Sequence, residues 1–185
     1  MTAHPQPLTP DEFIVWEHAQ EAKHEFVAGM VVAFAGGTIE HATIAANLTF
    51  AVVGRLRGQY SCRTYGPDML VATQTSIRYA DLIVTCDERD RVARSTRVAF
   101  PKLIVEILSV STASVDRGEK LDEYQTIESL EEYVLIDSRK RWVAIMRRSG
   151  ETWMQSLPIS TGTMHLASID LDVALDELYV NSGVV

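Results

Sequence analysis

The apolar positions of this chain change their period several times, and each change predicts an element. Leu8-Thr9-Pro10-Asp11-Glu12-Phe13 has the features of a helix start. Thr9 is placed to cap, Pro10 occupies the first helical position, and Glu12 completes a capping box. Leu8 and Phe13 are spaced for a hydrophobic staple, and a helix is predicted over residues 10–20. Two short β-rich runs around Ala28-Gly29 predict a hairpin, which Gly36-Gly37 ends. His41, Ala45, Leu48 and Val52 recur at helical spacing and define one face of a second helix, predicted over 39–57. Strands are predicted over 62–65, 69–73, 76–85 and 102–108, with a polar, arginine-rich loop over 87–99. Asp116, with Glu119 three residues on, is read as the cap of a helix reaching residue 127. Strands over 133–137, 142–147 and 152–157 follow, then a last helix over 173–179. This order predicts an α/β fold, bordering on α+β, with a mixed central sheet flanked by helices.

Composition narrows the picture in two respects. A hydrophobic fraction of 46% with 23% charged residues is that of a globular chain able to bury a core. The net charge of −8 argues against a simple basic nucleic-acid-binding module. It leaves a nuclease open, because such sites gather carboxylates. Arg89, Arg91, Arg94 and Arg97 come nearest to a basic patch and are read as a solvated loop. Cys62 and Cys86 form no CxxC motif, and the low count suits a reducing cytoplasm. The first residues lack the pattern of a signal peptide. No apolar stretch reaches the roughly 20 residues that cross a bilayer.

Candidate chemistry comes from charges that contradict their surroundings. Asp81 follows the run Ile77-Arg78-Tyr79-Ala80 and precedes Leu82-Ile83-Val84, and Glu106 interrupts Leu103-Ile104-Val105 and Ile107-Leu108. A carboxylate inside an apolar strand is costly without a partner. Lys120 opens the helix that follows and shares a face with Asp116 and Tyr124. Two acids side by side repel one another, and a divalent cation removes the repulsion. Hard oxygen ligands select Mg²⁺, Mn²⁺ or Ca²⁺. A nearby ammonium can orient or deprotonate a water and stabilise charge in phosphodiester hydrolysis. Glu25 and His41 could extend such a site. Either acid alone is equally consistent with an ion pair inside the fold. Lys120 alone reads as a solvated helix residue, and His41 alone as a hydrogen-bonded core histidine.

The stretch EILSVSTASVDRGEKLDEYQ, followed by EEYVLID, resembles the signature of the Uma-two family, a branch of the PD-(D/E)XK nuclease superfamily. The matching positions are Glu106, Leu108, Ser109, Ser111, Thr112, Asp116, Lys120, Tyr124, Glu132, Tyr133 and Asp137. Upstream, Glu25, Gly29 and His41 match more loosely, and Ala80-Asp81 stands where the family has Pro-Asp. Ala28 and Met30 replace acids on either side of Gly29. The resemblance covers roughly residues 8–180. It implies a single restriction-endonuclease-like domain over 1–185, with residues 1–8 flexible. It also implies Asp81 and Glu106 as ligands of Mg²⁺, with Mn²⁺ as a substitute. Lys120 becomes the catalytic lysine, displaced to the helix from the superfamily position held here by Leu108. Glu25, His41, Tyr124 and Asp116 become supporting residues.

The expected function is therefore metal-dependent cleavage of DNA by a cytoplasmic homodimer with no membrane attachment. A catalytically idle module that binds DNA or a protein is the main competitor. A hydrolase of small phosphoesters is a third.

Overall fold

The structure, a computed structural model, describes residues 8–34, 36–58 and 61–185. The terminus expected to be flexible lies outside them, apart from Leu8. Helix α1 (Pro10–Glu17) starts as its sequence dictates. Thr9 Oγ1 accepts from Glu12 N at 3.3 Å, and Glu12 Oε2 accepts from Thr9 N at 2.8 Å. Leu8 packs with Phe13 against Phe26. Strands β1 (His24–Val27) and β2 (Met30–Ala33) form the expected hairpin. Helix α2 (Ile39–Leu56) buries Ile44, Leu48, Val52 and Leu56 along one stripe.

Where one sheet was expected, the described residues build two large sheets and a small two-stranded one. Strands β3 (Arg63–Tyr65), β4 (Leu70–Ala72), β5 (Ser76–Tyr79) and β6 (Leu82–Thr85) come next. The strand predicted over 76–85 is broken at Ala80-Asp81. Strand β5 pairs with β1 and β4, whereas β6 pairs with β3 and β8 (Leu103–Leu108). With β7 (Arg97–Val98), the first sheet runs β2-β1-β5-β4-β7. Three of the four arginines of the polar loop are occupied by acids: Arg89 by Asp87, Arg91 by Glu88 and Arg97 by Asp11.

The second sheet holds the site. It gains β9 (Glu132–Asp137), β10 (Val143–Ser149) and β11 (Thr152–Gln155), and runs β11-β10-β9-β8-β6-β3. Strands β8 and β9 are parallel, and the crossover between them carries α3 (Ala113–Arg117) and α4 (Glu119–Gln125). Asp116 therefore lies inside α3 rather than capping a single helix. Gly118 separates the two helices, and a Cβ there would sit 3.2 Å from the Ser114 carbonyl oxygen.

Side chains of β8 alternate between two cores, following the pleat. Leu103, Val105 and Ile107 join Leu48 and Val52 of α2, while Ile104 and Leu108 join Tyr124 and Leu130 on the opposite face. Glu106 belongs to the second set by register. The α2 side is closed by a hairpin that the sequence pattern missed, β12 (Thr163–Leu166) and β13 (Leu171–Ala174). The short α5 (Leu175–Leu178) follows, so Val173 is a strand residue. Cys62 and Cys86, which flank β3 and β6, are joined in a disulfide that the sequence reading did not foresee.

Candidate active site

Asp81 occupies the corner where the chain leaves the first sheet for the second. The last ladder pair between β6 and β8 is Leu82 with Val105, so the next step sets Asp81 beside Glu106. Asp81 Oδ2 accepts from the Ile107 backbone N–H at 2.7 Å and lies 3.2 Å from His41 Nε2. The carboxylate thus takes a ladder donor that the broken strand no longer serves. His41 is brought there by the first turn of α2, whose cap Thr38 accepts from His41 N at 3.4 Å. Gly37 leaves room for the ring: a Cβ there would stand 2.7 Å from His41 Nδ1. The hydrogen bond to Asp81, working against burial, raises the imidazole above its ordinary value.

Glu106 is only 3% exposed. Its Oε1 accepts from Lys120 Nζ at 3.0 Å and from the Tyr124 hydroxyl at 3.2 Å. Burial pushes its carboxyl well above the usual range; Lys120 opposes the rise, and Asp116 and Asp81 add to it. Lys120 is itself buried and also donates to the Tyr79 carbonyl at 3.1 Å. Asp116 Oδ1 lies 3.3 Å from Lys120 Nζ and Glu25 Oε1 lies 3.6 Å from it. Burial works against the Lys120 charge, but Glu106, Glu25 and Asp116 outweigh it and hold the ammonium above its ordinary value. Lys120 thus faces these acids as a cation and a hydrogen-bond donor.

The seven residues singled out from the sequence form two bonded sets that meet at one cavity, His41 with Asp81 and Lys120 with Glu106, Tyr124, Asp116 and Glu25. Glu25 is placed by the β1–β5 register beside Arg78. It accepts from Arg78 Nη1 at 3.1 Å and from Tyr79 N at 3.0 Å. Arg78 is the residue that sequence reasoning passed over. It is 2% exposed and is clasped by Glu123, with both contacts at 2.8 Å. The signal was available, since Arg78 interrupts the same apolar run as Asp81.

Asp81, Glu106, Asp116, Lys120 and His41 face one cavity of about 360 Å³. Asp116 Oδ1 is buried without a hydrogen-bond partner, since Lys120 is near enough to attract it but poorly aligned. Three carboxylates thus line the cavity with two ammoniums, of which Lys120 sits among them and Lys23 is paired with Asp68. A hard cation relieves such a surplus, and Mg²⁺ needs only one or two carboxylates, with water and phosphate completing its shell. The donor set fits a divalent ion on those terms. Among the described residues, no three His, Cys, Asp or Glu side chains group closely enough to hold an ion alone.

The Uma2 family, described as "Putative restriction endonuclease", matches residues 10–175. The chain belongs to this family. An uncharacterized protein of Synechocystis sp., slr1290, is 32% identical over 176 residues, spanning 93% of this chain and 91% of that protein. A second Synechocystis protein, sll1609, also uncharacterized, is 32% identical over 122 residues, spanning 65% and 69%. The crystal structure of "a putative nuclease belonging to DUF820" from Anabaena variabilis superposes with a TM-score of 0.77. It is 16% identical and covers 94% of this chain and 98% of its own. That likeness gives the fold, which is restriction-endonuclease-like. Family and fold together place the chain among nuclease-like proteins. None of its helices, among the described residues, is long and apolar enough to cross a membrane.

Proposed function

We propose that this Uma2 protein is a metal-dependent endonuclease that hydrolyses DNA phosphodiester bonds. The observation that carries the proposal is the meeting of Asp81, at the corner that leads into β6, and Glu106, of the adjacent β8, in one cavity with the Lys120 ammonium bonded to Glu106. Asp81 and Glu106 would hold Mg²⁺ or Mn²⁺. When bound, the ion supplies neutralisation of phosphate charge and a more acidic water. His41 fixes the Asp81 carboxylate through its 3.2 Å contact, and Tyr124 fixes Glu106. Lys120, held in place by carboxylates on several sides, donates to the negative charge that develops on the phosphate oxygens. Asp116 keeps that ammonium charged from the helix side, and Glu25, pinned by Arg78, does so from the sheet side. A homodimer is part of the proposal on the strength of the family resemblance. A cytoplasmic setting sits poorly with the Cys62–Cys86 bond, since disulfides are rare in reducing compartments.

A second reading, an idle module of the same fold, draws on one observation. Glu106 already has a cation beside it, the Lys120 ammonium at 3.0 Å, as in an ion pair that serves the fold alone. Supercoiled plasmid incubated with Mg²⁺ or Mn²⁺, beside calorimetric metal titrations, separates the two. The nuclease reading expects Lys120→Ala to slow cleavage by about a hundred- to thousandfold with metal binding nearly intact. Glu106→Ala should lose metal and cleavage together. Wild type that binds metal and cuts no DNA leaves the idle module. A fully active Lys120→Ala removes Lys120 from the mechanism.

A further inference from the structure

The acid cluster opens at Asp81 into a second and larger depression. A groove of about 830 Å³ runs between α2 and β3, and Asp81, Ala45 and Pro67 border both cavities. Small side chains of α2 form its floor. Its wall carries Phe50, which is 84% exposed, and Val53. Arg57 and Arg63 add positive charge, and Arg57 forms no ion pair among the described residues.

We propose that this groove takes a single strand of DNA and lays an unstacked base on Phe50, with a flanking phosphate at Arg57. The inference rests on the nuclease reading and narrows its substrate to single-stranded or locally opened DNA. Three observations carry it. An apolar wall with a solvent-facing aromatic offers nothing to the phosphates of a duplex, whose bases are stacked inside, but suits the face of an exposed base. Glu106, at 3% exposure, lies deep in the adjoining cavity, which a flexible strand can enter more readily than a rigid double helix. The net charge of −8 gives the chain no general attraction for duplex DNA, so local arginines beside an aromatic must do the binding. The same arginines disfavour a second copy of this chain in the groove, since a twofold contact there would bring like charges together.

The test is fluorescence anisotropy in EDTA, so that neither metal nor turnover contributes. Three labelled probes are compared: a single-stranded dT 20-mer, an abasic strand of the same length, and a 20-base-pair duplex. The single strand should bind more tightly than both others. Phe50→Ala should weaken the dT probe by roughly five- to a hundredfold, the loss of one stacked base, and leave the abasic probe unchanged. Arg57→Gln should weaken the dT and abasic probes alike. Phe50 is exposed, so its variant should melt with the wild type, and sedimentation of both checks for self-association. Equal affinity for duplex and single strand, or no measurable binding of any probe, overturns the proposal. So does a Phe50→Ala variant that binds dT normally but changes oligomeric state, which would make the groove a contact between copies. Plasmid cleavage keeps the two readings apart. Cleavage untouched by Phe50→Ala, with dT binding also untouched, removes the groove and keeps the nuclease. Groove binding without cleavage of any DNA does the reverse.

Discussion

Glu106 is held by Lys120 and Tyr124, yet it shares its cavity with Asp81 and Asp116. Its attraction to one ammonium is set against burial and two like charges. Glu106→Gln keeps the shape and an accepting oxygen while removing the surplus charge. In EDTA this variant is expected to be more stable than wild type by about 1 kcal/mol, a rise of ~2–4 °C in melting temperature for a chain of this size. Added Mg²⁺ or Mn²⁺ should raise the melting temperature of wild type and leave the variant unmoved. Thermal melts with and without metal measure both; a variant less stable in EDTA would show that the Lys120 bond outweighs the repulsion. The same imbalance explains what could be read at this scale. An acid in an apolar run contradicts the pattern around it, so Asp81 and Glu106 stood out. Lys120 drew notice only in combination, because a helical lysine faces water by default and its burial depends on distant acids. Arg78 was missed since its partners, Glu25 and Glu123, come from remote segments.

The hairpin between β1 and β2 shows how an element can keep its form against a poor residue choice. Its turn holds Ala28 at φ 46° and Gly29 at φ 91°. A two-residue hairpin of this hand asks for positive φ at both positions and favours Asn-Gly. Alanine there is strained by its Cβ. Ala28→Asn should therefore stabilise the protein by about 1 kcal/mol, read as a shift in the midpoint of urea unfolding with unchanged slope. An unchanged or lower midpoint would mean that the turn holds no strain that asparagine relieves, since the N–H of residue 28 keeps its bond to the Thr75 carbonyl in both proteins. Elements whose signals are local, such as the capping box of α1 and the stripe of α2, could be read directly. The break at Ala80-Asp81 was not read, although these two are poor strand formers, because the residues on both sides are β-forming and the break is fixed by β5 and β6 joining different sheets. The division at Gly118 and the β12–β13 hairpin escaped for a related reason, each being fixed by what it packs against.

Across the whole molecule, the site lies where two sheets meet, and its geometry depends on β6 staying in the second sheet. Strand β6 pairs with β8 on one side and with the short edge strand β3 on the other. A three-residue edge strand has few hydrogen bonds of its own to hold it. The Cys62–Cys86 disulfide ties the chain entering β3 to the chain leaving β6, closing a loop with a sequence separation of 24. From loop-closure entropy alone, such a link is worth about 3 kcal/mol, acting on the unfolded chain. Because the bond joins two elements of the site-bearing sheet, its loss is expected to appear as one cooperative shift rather than local fraying. The double variant Cys62→Ser, Cys86→Ser, or wild type under reducing conditions, should melt ~6–12 °C lower. Calorimetry with and without reductant measures the shift, and the double variant should be insensitive to reductant. A wild type whose melting temperature ignores reductant, while thiol titration shows both cysteines reduced, would mean that the β3–β6 ladder holds this edge without its covalent link.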